Sequence, residues 1–378
     1  MTTTSLKKSI AAAEHPILLE TPAQLSEAEK SWNGNDVHGI DTEFVRERTY
    51  RANLGLVQVS DGNTAWLVDP VRLQGLEPLA RLLSNSRITK VLHSGSEDLE
   101  VLLNSVGAVP SPLFDTQVAC ALLGRPLQMG YHTTVNWMFS LEVDKEQTRS
   151  NWCKRPLTDR QLHYAAMDVV LLPEMFETLK PRLEEKGRLH WLEEEMQRAQ
   201  DNARQAVEPE AAYLRIAGVG RLDDKSLRTL RALASWRETT ARERNLARGF
   251  VISDAGLMNL ARQRPDSARA ARDVEGIHPK ALERHLPRLL ETIESARNDD
   301  RPVFKPTQLD GPQRKLMGEL RNIVQKRASE LEIEPALLAS RKELERLLRA
   351  VIEDRDVPER FTGWRKAAVT DDLLELIG

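Results

Sequence analysis

The chain has 378 residues, more than one hydrophobic core usually supports, which predicts two or three domains. With 40% apolar and 29% charged residues, and no apolar run near the ~20 residues that cross a bilayer, it does not read as a membrane protein. The net charge of -3 hides an asymmetry, since residues 221–300 carry +3 and residues 301–378 carry +1, leaving about -7 on residues 1–220. An acidic front joined to mildly basic later parts fits a carboxylate-rich catalytic unit beside modules able to meet phosphates.

The N-terminal stretch MTTTSLKKSIAAAEHP is interrupted by Glu14 and His15 too early for a signal peptide, and a cytosolic location is expected. Cys120 and Cys153 lie far apart, outside any C-x-x-C pattern, and read as core or half-buried thiols rather than a disulfide or zinc framework. From Val37 the pattern becomes strand-like. VHGIDTEF, NLGLVQVS and TAWLVD, the last two parted by Asp61-Gly62-Asn63, predict a three-stranded meander. LEPLARLLSNS turns helical, ITKVLHS returns to a short buried strand, and SEDLEVLLNSVG is helical again, the alternation of an α/β domain.

Helical patterns continue through VACALLG, YHTTVNWMF and one long run, TDRQLHYAAMDVVLLPEMFETLK. That run opens with Thr158 and Gln161, a T-x-x-Q capping box. A charged amphipathic helix follows over about 181–210, and a linker is expected near Val207-Glu208-Pro209. Beyond Gly218-Val219-Gly220 the chain reads as all-helical in two sets parted at NDDRP, residues 298–302. The first set is broken at Pro265 and at Gly276 to Pro279, giving four or five short helices; the second comprises GPQRKLMGELRNIVQKRASELEI, PALLASRKELERLLRAV and TDDLLELI.

Asp41 and Glu43, in IDTEF, are two apart, which places both carboxylates on one face of a strand. Adjacent acids repel unless a cation or a shared proton compensates them, so the pair is either functional or a solvent-facing edge paired with Arg46 or Arg48. Asp98 stands in the first turn of a helix, where Ser94 or Ser96 can cap and the positive helix end favours an acid; such placements are also common without function. Tyr164 and Asp168 are four apart on one helix and share a face, with two alanines between them leaving room for an approaching group. Asp168 precedes Val169, Val170, Leu171 and Leu172, where an apolar residue would be the ordinary choice, so it needs a partner.

D-x-E on a strand, an Asp opening a helix and Y-x-x-x-D on a late helix together resemble the DEDD exonuclease pattern in its tyrosine variant. The surrounding words IDTEFVRERTY, VLHSGSEDLEVL, FDTQVA and YAAMDVVLL are similar to ribonuclease D, and the resemblance covers nearly the whole chain. YLRIAGVGRLDDKSLRTLRALASWRE is similar to the entry of an HRDC domain, and the tail from about 308, with ELEIEPALLASRKELERLL and GWR, to a second, more divergent one.

The resemblance implies an α/β ribonuclease H-like exonuclease domain with a mixed sheet over residues 1–205 (core about 17–182), then two small all-α HRDC-type domains at 218–300 and 308–378. It implies a 3'-5' exoribonuclease that releases nucleoside 5'-monophosphates from RNA with a free 3' end, tRNA precursors foremost, and works as a monomer. Asp41, Glu43, Asp98 and Asp168 would hold two divalent ions, Mg2+ or Mn2+: the first on Asp41, Glu43 and Asp168, the second on Asp41 and Asp98. Tyr164 would orient the attacking water. Thr42, Phe44 and Arg155 are the candidate substrate contacts, Phe44 by stacking and Arg155 on phosphate. Asn151 in SNWCKRPL departs from the family, where Asp is expected. The same acids serve DNA-directed exonucleases, and HRDC alone would suit a helicase-associated binding module, although no G-x-x-x-x-G-K-[ST] loop supports a motor. Intact residues at all five catalytic positions argue against an inactive RNA-binding relative.

Overall fold

The computed structural model of the protein describes residues 3–143, 150–305 and 309–378, so residue 308, the expected start of the last domain, lies outside the described residues. Two compact units form: Met1–Val45, Leu54–Arg204 and Asp310–Gly378 make the first, Arg46–Asn53 and Gln205–Leu309 the second.

The first unit is built on a six-stranded sheet. Its strands are β1 (Ile17–Leu19), β2 (Val37–Val45), β3 (Asn53–Ser60), β4 (Ala65–Val68), β5 (Thr89–Leu92) and β6 (Leu113–Asp115), in the order β1-β4-β3-β2-β5-β6. β3 and β4 run antiparallel, whereas β1 with β4, β2 with β5 and β5 with β6 are parallel, so the sheet is mixed. The expected meander is there: β2, β3 and β4 are neighbours, and Asp61 Oδ1 accepts the Asn63 and Thr64 N–H groups around Gly62, whose φ is 87°. β3 is buried along nearly its whole length, the polar Gln58 and Ser60 included, so both of its faces are covered.

Nine helices flank the sheet among the described residues: α1 (Thr3–Glu14), α2 (Pro22–Trp32), α3 (Glu77–Ser84), α4 (Ser96–Val106), α5 (Thr116–Leu122), α6 (Tyr131–Phe139), α7 (Asp159–Val170), α8 (Leu172–Glu185) and α9 (Leu189–Arg204). The long run expected as one helix is two, α7 and α8. Pro173, in the first turn of α8, has no N–H to continue the ladder across Leu171, so the chain restarts there. The charged helix expected over 181–210 is likewise divided at Gly187, which takes φ 65° before α9.

The second unit holds α10 (Asp224–Glu243), α11 (Arg248–Val251), α12 (Asp254–Gln263), α13 (Ala268–Arg272) and α14 (Pro279–Arg297). Leu227, Leu230 and Leu233 on α10 meet Leu257 and Leu260 on α12 and Leu289 and Ile293 on α14 in one buried cluster. Within this unit Tyr50 donates its hydroxyl to the buried Glu238, which also pairs with Arg248.

The chain then returns to the first unit with α15 (Gly311–Glu330), α16 (Pro335–Leu338), α17 (Arg341–Ile352) and α18 (Asp371–Ile377). Here the run PALLASRKELERLLRAV, expected as one helix, is divided where Ser340 caps α17 in a box with Glu343. This set is fixed to α9 by polar contacts. Glu195 accepts Arg365 and the Trp364 indole N–H on Oε1 and Arg360 on Oε2, while the Trp191 and Trp364 rings stack at 4.4 Å. Arg188 donates to the carbonyls of Leu122 and Leu331, each at 2.7 Å. Burial alone would push the Glu195 carboxyl up, yet the Arg365 hydrogen bond and the Arg365 and Arg360 charges bring it down to about 2. Cys120 is buried and Cys153 half-buried, and neither is part of a disulfide. No described helix is long and apolar enough to cross a membrane.

Candidate active site

The site starts from a close approach of helix to strand. A Cβ on Gly39 of β2 would lie 2.5 Å from the Val169 carbonyl oxygen and 2.9 Å from Leu172 Cβ, so glycine is what lets the junction of α7 and α8 press onto β2. Asp41 and Glu43 follow Gly39 on that strand, and Asp168 precedes Val169 on the helix. The capping box is formed, with Thr158 Oγ1 accepting the Gln161 N–H and Gln161 Oε1 accepting the Thr158 N–H. One turn apart on α7, Tyr164 hydrogen-bonds its hydroxyl to the Asp168 carboxylate. Single oxygens of Asp41, Glu43 and Asp168 thereby come within 4.8 Å of one another.

Asp98 lies in the first turn of α4 and accepts the Thr42 hydroxyl, which ties it to β2. It stands outside the three-oxygen group, although its charge is felt by both Asp41 and Glu43. Neither serine caps α4: Gly95 is the cap residue, without a side-chain bond, and Ser94 precedes it with φ 62°. That turn is held instead by Asp115, whose carboxylate accepts the Ser94 and Gly95 N–H groups.

All four acids are pushed upward. Burial is the largest cause at each; for Asp41 the charges of Asp98, Asp168 and Glu43 add to it, and the shift is large. Burial and then the Asp168 and Asp98 charges raise Glu43 to about 9, while Asp168 reaches about 7 and Asp98 about 6 despite hydroxyl bonds from Tyr164 and Thr42. Asp41 and Glu43 nevertheless keep part of their surface open to solvent. Crowded carboxylates of this kind repel one another as anions and offer hard oxygen ligands, so the residues present fit a divalent cation. Burial also raises the Tyr164 phenol, with the Asp168, Glu43 and Asp41 charges adding to it, so it stays protonated and donates.

The candidate substrate contacts fare differently. Phe44 is half-buried on β2. Thr42 is buried, and its side chain serves Asp98. Arg155 requires a correction: Nε and Nη2 form a two-point pair with Asp69 at 2.6 Å each, Nη2 also reaches Gly55 O, and Nη1 reaches the Trp152 and Lys154 carbonyls. All five of its N–H donors are engaged inside the protein, which leaves none for a phosphate. The phosphate role read from the sequence took the charge without the long-range partner.

Three neighbours escaped the sequence reading. Trp152, fully buried, packs 6.1 Å from the Tyr164 ring in a cluster with Leu56, Leu67 and Ala165. A Cβ on Gly55 would meet the Trp152 backbone at 2.7 Å. The SNWCKRPL loop therefore backs Tyr164, and Asn151 closes its turn by accepting the Cys153 N–H at 3.1 Å. Tyr131, at the start of α6, donates to the Met167 carbonyl at 2.7 Å, and its phenol is raised by burial and then by the Asp168 and Asp41 charges. Asp115 was visible only as a letter of FDTQVA.

The chain also matches known proteins along most of its length. Residues 16–184 match the 3'-5' exonuclease family, 226–293 the HRDC domain, and 312–373 the C-terminal HRDC domain of ribonuclease D. The chain is 37% identical to ribonuclease D of Pseudomonas paraeruginosa over 360 residues, covering 94% of this chain and 96% of that protein. It is 36% identical to the Escherichia coli ribonuclease D over 345 residues, covering 89% and 92%. The crystal structure of Escherichia coli RNase D, described as an exoribonuclease involved in structured RNA processing, superposes with a TM-score of 0.90 at 33% identity, covering 96% of this chain and 98% of the other.

Proposed function

We propose, from the premise that the chain belongs to the ribonuclease D family and is a 3'-5' exoribonuclease, that it trims the 3' ends of tRNA precursors by two-metal-ion hydrolysis. The observation that carries the reading is the convergence of Asp41, Glu43 and Asp168 oxygens within 4.8 Å, with Asp98 tied to the same strand through Thr42. Asp41, Glu43 and Asp168 would hold one ion and Asp41 and Asp98 the other, Mg2+ or Mn2+. When bound, such ions supply positive charge for the crowded transition state and make water more acidic.

The chain's own groups do the rest. Tyr164 keeps its proton and donates to Asp168, so it orients water and is not the base. Water adds to phosphorus, the bond to the preceding 3' oxygen breaks, and a nucleoside 5'-monophosphate leaves with a new 3' hydroxyl behind it. Phe44 stacks on the terminal base. The helical sets add phosphate contacts, and the protein acts as a monomer in the cytosol.

A 5'-labelled tRNA precursor with extra 3' nucleotides, incubated with Mg2+, Mn2+ or EDTA beside a matched DNA strand, tests this. Metal-dependent shortening by single nucleotides, with RNA favoured, is expected. Preference for DNA overturns the substrate assignment, and full activity in EDTA overturns the metal assignment.

A further inference from the structure

We propose that Asp115 is the positioning residue that sets Asp98 for cation capture, acting through the Ser94-Gly95 turn; this rests on reading Asp98 as a metal-holding acid. Asp115 ends β6, opposite Leu92 of β5, and is the cap residue of α5. Its carboxylate accepts four backbone N–H groups: Ser94 at 3.1 Å, Gly95 at 2.9 Å, Gln117 at 2.8 Å and Val118 at 3.3 Å. Two of these satisfy the open end of α5, an ordinary capping duty. The other two have nothing to do with α5. They hold the entry to α4, where Ser94 sits in the left-handed region that an L residue adopts only when its surroundings keep it there.

The consequence falls on Asp98, three residues beyond the α4 cap. α4 has no side-chain cap of its own, and Asp115 instead holds, from another strand, the two N–H groups just ahead of its first turn. Asp98 is then held twice: Thr42 takes the carboxylate from the β2 side, and Asp115 fixes the backbone from the β6 side. Thr116 reinforces the same turn by donating to the Leu92 carbonyl at 3.1 Å. Asp115 itself is buried and lies outside the Asp41, Glu43 and Asp168 oxygen group, so it acts through Asp98 rather than as a ligand. Groups that orient metal ligands in this way typically change affinity or activity by about 10- to 100-fold when altered.

Two variants separate this role from simple folding. Asp115→Asn keeps the shape with one carbonyl oxygen, and Asp115→Ser keeps a good α5 cap but is too short to reach Ser94 and Gly95. In the full chain, binding of Mn2+ alone is read from the paramagnetic resonance signal of free ion, and kcat and KM from RNA trimming. Both variants are expected to lose one Mn2+ site by about 10-fold or more and kcat by about 10- to 100-fold, with KM for RNA within about threefold. Placed on an Asp98→Ala background, either should cost no further kcat. Mn2+ binding and kcat matching the parent in the Ser variant, or a full additional loss on the Asp98→Ala background, overturns the proposal. If Asp98→Ala itself binds Mn2+ and turns over like the parent, the underlying reading of Asp98 fails instead. Should Asp115→Asn not fold, the Ser variant alone decides.

Discussion

Two buried carboxylate assemblies in the first unit face opposite electrostatic situations. Burial pushes both upward, but Glu195 is surrounded by Arg360, Arg365 and Arg198 and ends near 2, whereas Glu43 sits among Asp41, Asp98 and Asp168 and ends near 9. The first assembly is complete within the chain and ties α9 to the C-terminal helices. The second crowds its acids together with hydroxyls from Thr42 and Tyr164 as partners, an arrangement that retains protons until a divalent cation takes their place. The sign of the shift, rather than burial, separates a structural acid from a ligand.

The contrast can be broken first at its functional end. Asp41→Asn or Asp168→Asn should lower kcat by about 10³-fold in single-turnover RNA trimming, while the metal-free variant melts no lower than the parent because repulsion is relieved. A variant keeping a tenth of the parental rate would show that chemistry does not depend on that acid. At the structural end, Glu195→Gln should cost about 3–5 kcal/mol in denaturant unfolding, since it leaves the fully buried Arg365 unpaired. A cost below about 1 kcal/mol would mean that the Leu337 and Leu338 carbonyls satisfy Arg365 unaided.

Acidity sharpens the comparison further. Glu43 has a folded value raised from 4.5 to about 9, so the folded state binds more protons than the unfolded chain between those values. Its contribution is fully present below the lower value and is lost as pH rises through the upper one. In EDTA the melting temperature should therefore fall between pH 5 and 9 on this account, and saturating Mg2+ should flatten the slope; an unchanged slope with Mg2+ would refute cation binding at these acids. Glu195 runs the other way, with stability present above 4.5 and lost as pH falls through about 2. The smallest effect is expected at Tyr164→Phe, about tenfold in kcat, with the acidic limb of the pH–rate profile moved upward because Asp168 loses the hydroxyl that lowers it.

What the sequence disclosed was local. The alternation of IDTEF, the Thr158 and Gln161 box and the four-residue step from Tyr164 to Asp168 are short-range signals, and each has its expected geometry in the structure. β1 and β6 stayed hidden because three residues are too few to show a period. The break between α7 and α8 was missed because Pro173 sits in a first turn, where proline is tolerated, inside an apolar run. The partners of Thr42, Arg155 and Asp115 went unread for another reason: they lie 56, 86 and 20 or 21 residues away, and no local pattern carries that information. The membership of Arg46–Asn53 in the helical unit is equally invisible to a boundary drawn at residue 205.

The Glu195 assembly also sets an order of events in time. Glu195 and Arg365 are 170 residues apart, so at a synthesis rate of roughly 5–20 residues per second α9 waits about 10–30 s for its partner to be made. During that interval a carboxylate destined for burial has Arg198 beside it on its own helix but neither Arg360 nor Arg365. The first unit can therefore settle fully only after Arg365 has been made, so the helical unit of Gln205–Leu309, synthesised in between, is free to fold before the unit that precedes it is closed.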